Sequence, residues 1–126
     1  MTDLSRFRGR RRLLLIFAPS ASDEGFGLQR DLLQGHEAGF DDRDLLAFRL
    51  FEDGSGDADE EAGDAEEAAA ARGDFGVEAG RFAVVLVGKD GTAKFRSREP
   101  VPASDLFSRV DAMPMRRREM REKNRG

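Results

Sequence analysis

Cysteine is absent from the 126 residues, so no disulfide, thiolate nucleophile or thiolate-bound metal is available in any compartment. Tryptophan and tyrosine are missing too, which leaves aliphatic side chains and ten Phe to build a core. Long hydrophobic runs are also lacking. The run 13–18 (LLLIFA) follows Arg10, Arg11 and Arg12 and precedes a small residue, Ala21, as an export signal would. It is shorter than the roughly 7 to 15 apolar residues of a signal core and the about 20 of a membrane span. A buried strand fits better. The expected location is cytoplasmic, with export only if the true start lies upstream.

What is present is charge, at 37% of residues against 39% hydrophobic, the composition of one modest core carrying solvated segments. The charges are segregated. Residues 1–18 hold five basic and one acidic side chain, 19–80 hold four and 18, and 81–126 hold 12 and six. Basic ends around an acidic middle make intramolecular docking or self-association electrostatically available, and salt-sensitive.

The pattern along the chain reads as strand, helix, strand, short helix, hairpin, helix. Residues 13–17 end at Pro19 and Ser20 as a central strand covered on both faces. Ser22 can cap a helix striped by Leu28, Leu32, Leu33 and His36, ending near Gly39. Residues 45–51 form the next apolar run, giving a βαβ unit with parallel strands. Residues 52–64 are almost wholly Asp, Glu, Gly, Ala and Ser, a composition too polar to offset its ordering entropy, so a disordered insertion is expected. An Ala- and Glu-rich helix resumes at 65–72 and stops at Gly73, with Phe75 and Val77 packing behind it. Residues 82–87 and 92–98 flank Asp90-Gly91, a hairpin signal. Leu106, Phe107, Val110 and Met113 mark a last core helix, and Pro114 ends or restarts it. The expected architecture is α/β and thioredoxin-like, with a four-stranded mixed sheet. It occupies 1–114, followed by a basic tail at 115–126.

Three strings add a resemblance: RLLLIFAPS at 12–20, FAVVLVGKDG at 82–91 and DAMPMRRREM at 111–120. Together they resemble a DUF4174-type domain family of unknown function, present in short bacterial proteins and repeated in vertebrate secreted proteins of the equarin, SRPX and URB kind. The last string is the most specific. The resemblance implies a thioredoxin-like fold and no established reaction.

In thioredoxin-like enzymes the thiol sits just after the first strand, where a helix N-terminus stabilises the thiolate. Here that loop offers Ser20, Ser22 and Asp23. A serine nucleophile needs an adjacent base, and the only histidine, His36, lies well along the first predicted helix, so helix capping by Ser20 or Ser22 is the simpler role. The proline that such enzymes place before the hairpin is replaced by Arg81 or Phe82. Asp53, Ser55, Asp57, Asp59, Glu61 and Asp64 can be laid on an EF-hand loop, but Ala58 takes the required glycine place and Asp64 the closing Glu. No metal or cofactor is expected. Arg116, Arg117, Arg118 and Arg121 form a candidate partner-binding cluster; nucleic acid is disfavoured by the overall acidity and the lack of interleaved aromatics. The sequence therefore favours a protein-interaction module without redox activity. The alternative is a degenerate peroxiredoxin-like enzyme or small-ligand binder using Ser20, Ser22 and Asp23.

Overall fold

The computed structural model describes residues 4–55 and 62–125. After a 3₁₀ turn at Leu4–Phe7 come β1 (Arg12–Ala18), α1 (Glu24–Leu33), α2 (Glu37–Asp42) and β2 (Leu45–Phe51). Then follow α3 (Ala65–Phe75), β3 (Ala83–Val87), β4 (Ala93–Ser97), α4 (Ala103–Asp111) and α5 (Pro114–Arg125). The sheet order is β2-β1-β3-β4. β1 runs parallel to β2, with Arg12 opposite Leu45, and antiparallel to β3, which is antiparallel to β4. This is the mixed four-stranded α/β sheet expected of a thioredoxin-like domain.

Every β1 residue is buried because the strand is covered on both faces. Leu14, Ile16 and Ala18 join Phe26, Phe40, Leu106, Val110 and Met113 under α1, α2 and α4. Leu13, Leu15 and Phe17 face the other way, onto Ala68 and Ala71 of α3, with Leu4 closing that layer. Two small alanines let α3 sit close to the strands, and Phe75 and Val77 pack against the same layer.

Several local features differ from the sequence expectation. The first helix is capped by Asp23, whose carboxylate accepts from Phe26 N at 3.1 Å; neither Ser20 nor Ser22 caps it. Asp is as good a cap as Ser, and it stands one residue closer to the helix. The helix also breaks before Gly39. Gly35 turns left-handed at φ 85°, and α2 starts anew after His36. Gly73 is interior to α3, which ends at Gly76 in the left-handed conformation, φ 66°. Pro114 restarts rather than ends the helix, as the first residue of α5.

Of the acidic insertion, residues 56–61 lie outside the described residues. On one side of them Ser55 is tied to the loop after β1; on the other, Ala62 pairs with Arg49 of β2 and Gly63 N donates to Arg49 O. Asp64 caps α3 by accepting from Glu67 N at 2.8 Å.

Candidate functional site

In open α/β sheets, ligands bind beyond the carboxyl ends of the strands, where successive connections leave in opposite directions. Here that point is the end of β1, with β2 on one side and β3 on the other. The loop there is Pro19 to Asp23, and it is laced to its neighbours. Ser20 and Ser22 hydroxyls lie 2.8 Å apart, Ser22 N donates to Ser20 Oγ, and Asp23 N donates to Ser20 O. Ala21 N donates to Ser55 Oγ at 3.2 Å, and Asp53 N to Pro19 O at 3.2 Å. Glu52 reaches across to accept from Gly80 N, so three loops meet at this end of the sheet. The Ser55 hydroxyl and backbone hold the Asp53 carboxyl below its usual range.

Ser20, Ser22 and Asp23 are therefore brought together, but in the service of the loop. Asp23 is spent as a cap, and the two hydroxyls bond each other. His36 is far along the chain at the start of α2, its ring edge-on to Phe107 with centroids 6.0 Å apart. Among the described residues, neither serine hydroxyl is hydrogen-bonded to a base. Where thioredoxin-like enzymes carry a proline, Phe82 lays its ring on the first turn of α1. A Cβ on Gly25 would come within 2.7 Å of Phe82 Cγ, so glycine is required there.

The opposite end of the sheet carries a network that the sequence reading did not single out. Arg12, 1% exposed, gives two hydrogen bonds to Glu119 at 3.1 and 3.2 Å and one to Arg43 O. Lys89 bridges Glu119 and Asp44 at 2.9 and 2.8 Å. Arg116, 4% exposed, pairs with Asp42 at 2.7 Å and Asp111 at 3.1 Å; Arg43 also holds Asp111, and Lys123 also holds Asp42. Burial alone would raise Glu119, but hydrogen bonds from Arg12 and Lys89 outweigh it and hold the carboxyl below its usual range. Asp111 behaves in the same way under Arg43 and Arg116, while Lys123 and Arg116 bring Asp42 down to about 2.

Each of these acids faces at least two cations, which makes the network a fastener. It ties α5 to the start of β1, the α2–β2 connection, the β3–β4 turn and the end of α4. The candidate partner cluster thus divides: Arg116 points inward and is consumed within the chain, whereas Arg117, Arg118 and Arg121 are exposed on α5. A readable signal existed. Met113, Arg116 and Met120 recur three to four apart, the spacing of a helix face turned to the core. The docking of basic ends on an acidic middle is realised at Arg6–Glu67, Arg116–Asp42 and Lys89–Asp44.

The surface grooves of the described residues include one of about 510 Å³ lined by Leu4, Phe7, Arg8, Phe75 and Gly91, and two others. One, of about 400 Å³, runs between α1, α2 and β2 over Ile16, Phe26, Phe40 and Leu45. The other, of about 310 Å³, lies beside β3 and β4 and is lined by Arg81, Arg96 and Arg98. Among the described residues no group of three His, Cys, Asp or Glu could hold a metal ion, and no helix is long and apolar enough to cross a membrane.

Fold and site together define a thioredoxin-like α/β domain with no thiol at the place such folds reserve for one. The chain belongs to the family described as Domain of unknown function (DUF4174), whose model matches residues 3–119. It is 27% identical over 124 residues to the sushi repeat-containing protein SRPX2 of Xenopus laevis; the match takes in 93% of this chain and 26% of that protein, about a quarter of its length. Among solved structures it is similar to the Plasmodium vivax 2-Cys peroxiredoxin in its reduced form, with a TM-score of 0.67, 14% identity, and 91% of this chain and 84% of that one covered. Plasmodium yoelii thioredoxin peroxidase I gives a TM-score of 0.66 at 14% identity, over 91% and 79% of the two chains. At that identity the likeness establishes the fold alone.

Proposed function

We propose that this domain is a protein-interaction module without redox activity. The observation that carries the reading is the loop after β1: its hydroxyls bond each other, its carboxylate caps α1, and Phe82 covers the helix start. Chemistry there would have to undo structure first. The exposed Arg117, Arg118 and Arg121 remain on α5 once the network has taken Arg116, and they present three cations to an acidic partner surface. The Xenopus relative is by name sushi repeat-containing, and a match to a quarter of it suits a module carried within longer proteins. A cytoplasmic location belongs to this reading, supported by the use of residues 13–18 as β1. Cell fractionation checks it.

The functional test is capture of partners from nuclease-treated lysate at low and high salt, comparing the chain with a triple variant, R117A/R118A/R121A. A partner held at low salt, and lost in high salt or on substitution, is expected. Capture indifferent to both overturns the reading. Capture abolished by the nuclease would move it to nucleic acid. A small molecule that raises Tm in the wild type, but not in Ser20→Ala, would move it to the loop after β1.

A further inference from the structure

Among the described residues β4 is an edge strand: it pairs with β3 alone, and Ala93, Lys94 and Arg96 are exposed. An edge presents unpaired backbone donors and acceptors that an extended chain can join. Beside it lies the groove of about 310 Å³, floored by Val77, Ala83 and Val85 and lined by Arg81, Arg96 and Arg98. Val85 stands directly opposite Arg96 in the ladder, so that guanidinium rises from the same face as the groove floor. Glu78 is the one carboxylate lining the groove, and its contact with Arg81 at 3.2 Å is solvated, both side chains being 66% exposed. Such a pair is weak and readily exchanged. Lys94 is held by Asp90 at 2.8 Å, but among the described residues no carboxylate meets Arg96 or Arg98.

We propose that an acidic extended peptide adds to the free edge of β4 as a further strand and sets alternate carboxylates against Arg96 and Arg98, the two cations this edge shares with the groove. Alternation matters because side chains two apart on a strand share a face, so every Glu of such a peptide turns to the face from which Arg96 rises, with Arg98 just past the end of β4. Guanidinium forks match carboxylates in paired hydrogen bonds. A second copy of this chain is a poor occupant. Antiparallel self-pairing of β4 about Arg96 would set that residue against its own copy, and like charges directly opposite are destabilising. The inference rests on the reading as an interaction module, but it places a surface on a different element from α5.

The test uses a capped peptide alternating Glu and Val, a second of the same composition with its Glu residues in one block, and a third with Lys for Glu. Binding to the full chain is read by fluorescence anisotropy, with amide exchange followed at Ala93–Ser97. The alternating peptide is expected to bind saturably and slow exchange in β4. R96Q/R98Q, with Tm unchanged, should weaken it by about tenfold or more. R117A/R118A/R121A should bind it like the wild type. Equal binding of the block peptide, displacement by an oligonucleotide, or loss on substitution of α5 instead of β4 would each overturn the proposal. So would failure of every peptide to bind, or a doubled mass that hides the β4 edge. If lysate capture still depends on α5 while no peptide binds β4, the groove assignment fails and the interaction reading stands; if both fail, both fall.

Discussion

Truncating Arg116 to alanine removes a guanidinium that is 4% exposed and strips one cation from each of Asp42 and Asp111. Breaking a fully buried pair costs about 3 to 5 kcal/mol, but both acids here are roughly a third exposed, so a loss of about 2 kcal/mol is expected. Arg117→Ala, one residue on and exposed, should fall within about 0.5 kcal/mol of the wild type. Urea unfolding of the two variants separates them. The same cluster sets a pH dependence. Asp42, Asp111 and Glu119 all titrate below their unfolded values in the folded chain, Asp42 at about 2, chiefly through hydrogen bonds from Lys123 and Arg116. Their contribution is therefore complete above the unfolded carboxylate range near pH 4 and is lost as pH falls towards about 2. Lys89 shifts upward: burial pulls it down, but Asp44 and Glu119 outweigh that, so its share persists through neutral pH. Thermal melts should decline steeply from about pH 4 to about pH 2, and Asp42→Asn should flatten that slope while lowering Tm at neutral pH.

Helix ends supply a sharper contrast of sign. Gly73 is interior to α3 with open space where a Cβ would stand, so Gly73→Ala should raise stability by about 0.5 to 1 kcal/mol. Gly76 holds the left-handed end of the same helix, and Gly76→Ala should lower stability by about 1 kcal/mol. Equal signs in denaturant melts would mean that α3 ends elsewhere. The reading of Gly73 as a stop shows where sequence legibility gives out. Propensity identifies a glycine but not its φ, and two glycines three residues apart offer the same signal. Strands were more legible: 45–51 appears as β2 with those bounds, because a buried apolar run has little freedom in where it begins. The break between α1 and α2 was not legible, since a four-residue apolar stripe continues across Gly35 while the backbone does not.

At the scale of the whole molecule, charge decides what α5 is. Composition marked residues 115–126 as a basic tail, and local spacing hinted at an inward face, but the acids that receive it come from α2 and α4, which only the fold brings together. The loop after β1 was legible because strand, proline and serines are contiguous; the network was not, because its bonded partners are up to 107 residues apart. A chain ending at Met113 would keep every strand and both hydrophobic layers yet leave Arg12, 1% exposed, without Glu119, and Lys89 with one acid in place of two. Uncompensated buried charge of that kind is costly enough to lower Tm on the order of 10 °C or more in a domain of this size. The R117A/R118A/R121A chain should melt with the wild type. If the shortened chain also melts with the wild type, α5 is an appendage held only loosely, Arg116 is free to meet a partner beside its neighbours, and the partner surface widens to the full arginine stretch. If it melts as expected, α5 is part of the folded unit, and only its outward arginines remain for recognition.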